Sequence, residues 1–236
     1  VTIPYSTWTL VGIGKLGQAL LTLFQASNYP IGLYHPDIKK SERCAAAYPL
    51  HTSVSKEYLL SSDIVILALP ATQIQPFIDE LYPLLSPVSS PLFLNMATMI
   101  STNALREAYP ELAWQGVKFM GQADDLRENG NGLFITDKTS AADSERKNAV
   151  IQVFSSIGHV VQDEEQTVEN INRLATYYAI KGVKELEKVM QEQDFPELYR
   201  RQVLLSLVPG VIRSYTEGTL GHFGQAVADE LENKPS

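Results

Sequence analysis

Six residues close to the N-terminus, Gly12-Ile13-Gly14-Lys15-Leu16-Gly17, carry the spacing G-x-G-x-x-G. The chemistry this spacing permits is done by backbone. The first glycine allows a tight turn out of a strand, the second lets the main chain approach a phosphate, and the third lets the next helix pack closely on the strand. A helix opening at such a turn aims free N–H groups and its positive dipole end at an anion. Gly12, Gly14, Lys15, Leu16 and Gly17 are therefore candidates to hold the diphosphate of a dinucleotide. A glycine turn without a ligand is the alternative. The context argues against it: the apolar run Thr9-Leu10-Val11 enters the turn, an amphipathic helix leaves it, and a second apolar strand ends near residue 34.

The end of that second strand bears on which dinucleotide. NAD sites usually place an Asp or Glu there for the ribose hydroxyls, and a carboxylate would repel a 2′-phosphate. This chain reads Tyr34-His35-Pro36-Asp37, with Lys39 and Lys40 close behind. The non-acidic His35 and the two lysines lean towards NADP, with NAD as the other possibility. Two alternatives stay open: Asp37 curling back to the ribose, and His35 as a solvated loop residue.

Strand-length apolar runs at 8–12, 31–34, 64–69, 92–95, 117–120, 133–136 and 159–162 alternate with helical patterns at 16–26, 38–47, 56–60, 73–85, 102–108 and 142–156. Ser140 and Asp143 form a capping-box start for the last of these. This alternation predicts an α/β fold, a doubly wound Rossmann-type and mostly parallel sheet. From Glu164 to Met190 the pattern becomes one long helix, with Ile171, Leu174, Tyr178, Gly182, Leu186 and Val189 returning every three or four residues. A second helix follows Pro196 and a third starts near Gly221. The expected organisation is a dinucleotide-binding domain over 1–162 and a small all-helical C-terminal domain over 163–236, divided at the acidic stretch Asp163-Glu164-Glu165. Three helices without a sheet would bury their apolar stripe on the α/β domain or on a second subunit.

Composition narrows the partners. The net charge of −8 argues against nucleic acid or an anionic membrane, each of which asks for a basic patch. One cysteine, Cys44, excludes an internal disulfide and any multi-cysteine metal site. His51 and His222 have no partner at metal-ligand spacing, and His159 reads as a turn residue, so no metal is expected. No apolar run reaches the ~20 residues of a membrane span. The opening VTIPYSTWTLVGIG lacks the basic region and cleavage site of a signal peptide. A soluble cytoplasmic protein is expected.

The arrangement resembles the pyrroline-5-carboxylate reductase family, including the competence-associated reductase-like proteins of Gram-positive bacteria. The resemblance rests on the early fingerprint, on Ser62-Asp63-Ile64-Val65-Ile66-Leu67-Ala68-Leu69-Pro70, on the segment from Leu92 to Ala104, and on that from Gly132 to Gln162. It covers most of 7–162 and fades in the helical part. It implies that Leu69, Pro70 and Ala71 border the nicotinamide ribose, that Asn95, Met96 and Ala97 border the ring, and that the helices build a homodimer. Pro70 has the alternative of merely ending a strand. Two features depart from the family pattern. Met120-Gly121-Gln122 stands where the family has Met-Pro-Asn. The family's late Ser-Pro-Gly-Gly-Thr-Thr segment has no counterpart, and the chain as given stops at Ser236, about where it should begin.

Hydride transfer to a C=N or C=O bond needs a proton donor. Related dehydrogenases of this architecture carry a Lys, Asp or Tyr on the equivalent long helix, which makes Lys181, Tyr178 or Tyr177 the candidate acid. The competing reading, preferred because nothing in the spacing is diagnostic of an acid, has Lys181 snorkelling at the edge of the stripe and both tyrosines packed in the core. Asp124, Asp125 and Glu128 read as a solvated loop, with Asp124 alternatively facing a cationic substrate group. The function expected is an NAD(P)-dependent oxidoreductase acting on a small metabolite. The rival is a reductase-like dinucleotide-binding sensor or regulator without turnover, and a piece of a longer enzyme is a third option.

Overall fold

Continuous apolar runs make the middle of a sheet because both of their faces can be covered. The computed structural model describes residues 7–85, 90–137 and 144–233. Along the chain come β1 (Trp8–Val11), α1 (Lys15–Ala26), β2 (Gly32–Tyr34), α2 (Ile38–Ala45), β3 (Thr52–Ser53), α3 (Lys56–Leu60), β4 (Ile64–Leu67), α4 (Ala71–Leu81), β5 (Leu92–Asn95), α5 (Thr102–Ala108), β6 (Ala113–Met120), α6 (Ala123–Asn129), β7 (Leu133–Thr136), α7 (Ser144–Ser155) and β8 (His159–Gln162). Helices follow: α8 (Glu165–Glu192), α9 (Glu197–Gln202), a π-helical turn over Val203–Leu207, α10 (Val208–Thr216) and α11 (His222–Glu232).

The strands form one sheet in the order β3-β2-β1-β4-β5-β6-β7-β8. Every pairing is parallel except that of β6 with β7. The order reverses between β1 and β4, which makes their C-terminal ends the switch point where open α/β sheets bind ligands. Register aligns those ends: Val11 pairs with Leu67, and Leu67 with Asn95. All positions of β1, β4 and β5 are buried. One face packs Leu10, Ile66 and Leu94 against Leu20 and Phe24 of α1 and Val150 and Phe154 of α7. The other packs Val65, Phe93 and Trp114 against Ile74 and Ile78 of α4 and Leu105 of α5. Each such side chain contributes roughly 1.5–3 kcal/mol by leaving water.

The α/β class and the mostly parallel sheet agree with the sequence. Several details differ. β6 starts at Ala113, because pairing with β5 recruits Trp114, Gln115 and Gly116, which carry no strand-like run. The acidic stretch expected to be a solvated loop is α6: Asp124 and Asp125 suit a helix first turn, and Leu126 beneath them is buried. His159 opens β8. The Ser140–Asp143 capping box lies outside the described residues.

Two compact units divide the chain at Val1–Arg173 and Leu174–Ser236, inside α8 and not at the acidic stretch before it. The first turns of α8 pack on the sheet domain, with Val168 fully buried and Asn172 Nδ2 donating to the Phe119 carbonyl at 3.3 Å. In the second unit, Pro209 has no N–H to offer the Leu205 carbonyl, and the helix widens there into the π turn, where Val208 N–H reaches the Val203 carbonyl. The apolar stripe of this unit is open. Leu174, Tyr177, Tyr178, Leu198, Leu205 and Phe223 are all exposed, so the expectation that both tyrosines pack in a core is corrected: the helices of one chain leave that stripe uncovered. Among the described residues no helix is long and apolar enough to cross a membrane.

Candidate functional site

The three fingerprint glycines meet three different surroundings. Gly12 has φ +110°, and a Cβ there would stand 2.3 Å from the Ala68 carbonyl oxygen at the end of β4. At Gly17 a Cβ would lie 1.9 Å from the carbonyl oxygen of Gly12, so only glycine lets α1 sit so close to the turn. A Cβ at Gly14 would meet nothing within 4 Å. Two of the glycines are thus required by the fold, while the third faces open space.

Gly14 is also the N-cap of α1, and no side chain caps that helix. By contrast α2, α3 and α5 are capped by Asp37, Ser55 and Ser101. The first-turn N–H groups of α1 have no carbonyl partner within the helix. α4, which opens at Pro70, has no side-chain cap either. Both helix starts border one cavity of about 610 Å³, lined among others by Gly12, Gly14, His35, Lys40, Leu69 and Pro70. Lys15 stands in the first turn of α1, where a cation opposes the helix dipole. Its Nζ pairs with Asp124 Oδ2 at 2.6 Å.

At the end of β2, Asp37 N–H donates to His35 Nδ1 at 2.9 Å, and Asp37 Oδ1 accepts from Lys39 N–H at 3.1 Å. Asp37 is therefore spent as the cap of α2 and does not curl back over the turn. Glu80 also lines the cavity, where it is paired with Lys56. Leu69 and Pro70 lie on the cavity wall after a strand that ends at Leu67, so Pro70 serves as helix cap and wall at once. Leu16 packs its side chain against the core beneath the turn.

Beyond β5 the side chains turn inward. Asn95 Nδ2 donates to the Ile100 carbonyl at 2.9 Å and to Thr102 Oγ1 at 3.1 Å, while its Oδ1 accepts from Ala97 N–H at 3.1 Å. Met96 is buried in the core. Sequence reasoning missed what lies beneath: Lys118 of β6, with a side chain 1% exposed, donates to the Ala97 carbonyl at 2.5 Å and to the Ile100 carbonyl at 3.0 Å. Glu165 of α8 lies 3.8 Å from Lys118 Nζ and accepts from the Thr102 N–H at 2.8 Å and from the Thr102 hydroxyl. Arg106 is paired with Asp137, whose carboxyl burial pushes up in pKa despite that guanidinium. The signal available was a lone lysine within the apolar run Val117-Lys118-Phe119-Met120.

The loop after β6 explains one departure from the reductase pattern. Gly121 has φ +147°, which a proline ring held near −65° cannot adopt. Gln122 then precedes α6 as its N-cap. On α8, Lys181 is half-exposed with Glu185 3.7 Å away, and Tyr177 and Tyr178 meet edge-on at 5.3 Å. Among the described residues no three His, Cys, Asp or Glu side chains are grouped to hold a metal ion.

A sheet of this order, with an open glycine turn at its switch point and a helical region after it, places the chain in the Rossmann-type α/β class by fold. Residues 7–89 match the family described as NADP oxidoreductase, coenzyme F420-dependent. Solved structures extend the likeness over nearly the whole chain. A pyrroline-5-carboxylate reductase from Streptococcus pyogenes is 17% identical with a TM-score of 0.69, covering 98% of this chain and 85% of that one. The Plasmodium falciparum pyrroline carboxylate reductase with NADP bound is 18% identical with a TM-score of 0.65, covering 99% and 86%. A reductive aminase from Aspergillus terreus, in complex with NADPH and ethyl-5-oxohexanoate, is 12% identical with a TM-score of 0.63, covering 90% and 78%. No curated protein matches the sequence. In fold, the chain is pyrroline-5-carboxylate reductase-like.

Proposed function

We propose that this chain is an NADP(H)-dependent oxidoreductase that reduces a C=N or C=O bond of a small metabolite. The observation that carries the reading is the open position at Gly14, set between two glycines that have no room for a side chain and at the mouth of a cavity of about 610 Å³. A diphosphate fits there, since the uncapped first turn of α1 offers the N–H groups of Lys15, Leu16 and Gly17 and the ammonium of Lys15.

The preference for NADP over NAD follows from Asp37. Its carboxylate is engaged at the start of α2, leaving His35 and Lys40 on the cavity wall where a 2′-phosphate would lie. The NADP-bound and NADPH-bound structures of similar fold support the same choice. Leu69 and Pro70 border the second ribose, and the main chain at Asn95 and Met96 borders the ring. When bound, the cofactor supplies a hydride from its reduced nicotinamide. The proton that must reach the substrate nitrogen or oxygen we assign to α8, from Lys181 Nζ or Tyr178 Oη. The exposed apolar side chains of α8 to α11 are assigned to a second copy of the chain, as in a homodimer.

The test is oxidation of NADPH by the protein in the presence of cyclic imines and keto acids. Turnover with at least one of them is expected. Tight binding without oxidation across the panel would replace the reading with that of a dinucleotide-binding regulator. Failure to bind would overturn both.

A further inference from the structure

Lys118 is the one lysine or arginine buried among the described residues, and a buried ammonium is costly to keep unless its partners hold it in place. Its partners are main-chain carbonyls of a single loop. Asn95 pairs with Gly116 across β5 and β6, so Lys118 projects from β6 just past the point where β5 ends. There Nζ takes the Ala97 carbonyl at 2.5 Å and the Ile100 carbonyl at 3.0 Å. Asn95 holds the same loop from the other side through Ala97 N–H and the Ile100 carbonyl. Glu165 closes the cluster. It binds Thr102, stands 3.8 Å from Nζ, and occupies space that exists because residue 116 is glycine, whose Cβ would be 1.7 Å from Glu165 Oε1.

The loop held in this way leaves the same sheet edge as the glycine turn. Val11, Leu67 and Asn95 are neighbours in register. A dinucleotide bound across the switch point, with its diphosphate over Gly14, has its adenosine half on the β2 side and its other half on the side of β4 and β5. The geometry points to Lys118 as a positioning residue: it fixes the 96–101 loop in the shape that receives the nicotinamide half of the cofactor, and it has no part in holding the adenosine half. This rests on the dinucleotide reading above. Burial pulls the Lys118 ammonium down to about 8, against the opposing pull of Glu165, Asp137 and Glu169.

Two ligands separate this from a merely structural role. NADPH spans both halves, whereas adenosine 2′,5′-bisphosphate carries the adenosine half alone. Calorimetry on the full chain and on Lys118→Met, a substitution of similar length without charge, is expected to show unchanged affinity for the bisphosphate and a loss on the order of tenfold for NADPH. Lys118→Gln, which keeps one donor and guards against a Met variant that fails to fold, is expected to show the same split to a smaller degree. Hydrogen exchange at the amides of residues 97–101 should be faster in either variant. Equal losses for the two ligands, or no loss for either, would overturn the proposal. A wild-type chain that binds neither would overturn the dinucleotide reading itself and this inference with it.

Discussion

Lys15 Nζ and Asp124 Oδ2 lie 2.6 Å apart, joining the first turn of α1 to the first turn of α6 beside the glycine turn. The lysine opposes the dipole of its own helix and suits a diphosphate, while the aspartate neutralises it and would repel one. Both side chains are exposed, so salt screens the pair. Asp124→Asn is therefore expected to tighten dinucleotide binding by roughly two- to fivefold at low ionic strength, and by less as salt rises. Titration at two salt concentrations checks this. Weaker binding in the variant would show that Asp124 assists the ligand.

The fingerprint glycines should separate binding from stability. At Gly17 a methyl group runs into the Gly12 carbonyl, a backbone atom that cannot swing away. Gly17→Ala is expected to cost roughly 1–3 kcal/mol or more. Gly14→Val should leave the unfolding midpoint nearly unchanged, since nothing lies within 4 Å and its φ of −72° suits any residue. Denaturant unfolding of both variants decides it.

His51 gives a pH dependence. It is buried, with Nδ1 accepting from Ile31 N–H at 3.3 Å and Nε2 donating to the Leu21 carbonyl at 2.8 Å, a pattern that belongs to the neutral ring. Burial holds its pKa below the ordinary 6.5. As pH falls through 6.5 the unfolded chain takes up this proton and the folded chain does not, so stability declines towards the lower folded value and this contribution then levels off. Urea midpoints for the native chain should fall over that interval, and those of His51→Gln should fall less. Parallel pH curves would contradict the assignment.

Arg106 and Asp137 form a mostly buried pair, with side-chain exposures of 20% and 9%, and Asp137 also accepts from Gly116 N–H at 3.2 Å. Removing one partner leaves the other charge without compensation, at a cost of about 3–5 kcal/mol. Arg106→Leu should therefore lower the melting temperature by on the order of 10 °C. A shift within a degree or two would show that water replaces the lost partner.

Much of the α/β part was legible because local and global signals agreed: Ile64-Val65-Ile66-Leu67 reads as a doubly covered strand and becomes one, and the glycine turn follows a strand and opens a helix. What stayed hidden depends on partners far along the chain. Trp114 to Gly116 become strand only by pairing with β5, and α6 is a helix because Leu126 finds a core. Lys118 lies inside a run read simply as an apolar strand, and the carbonyls of Ala97 and Ile100, distant in sequence, make its burial possible. The sequence left open that Asp37 curls back to the ribose, and only the structure shows its carboxylate taken up by the Lys39 N–H as the cap of α2. Tyr178 and Lys181 keep their helical spacing, but on one chain they face outward, so periodicity located the stripe without showing what covers it.

In the proposed reading, the main chain around Gly14 receives the diphosphate of NADP(H). Calorimetric titration of the full chain and of Gly14→Val with NADPH and NADH tests it most directly. Saturable binding that favours NADPH in the native chain, and is lost in the folded variant, is the predicted result. Absence of binding in the native chain, or equal binding in both proteins, would contradict it.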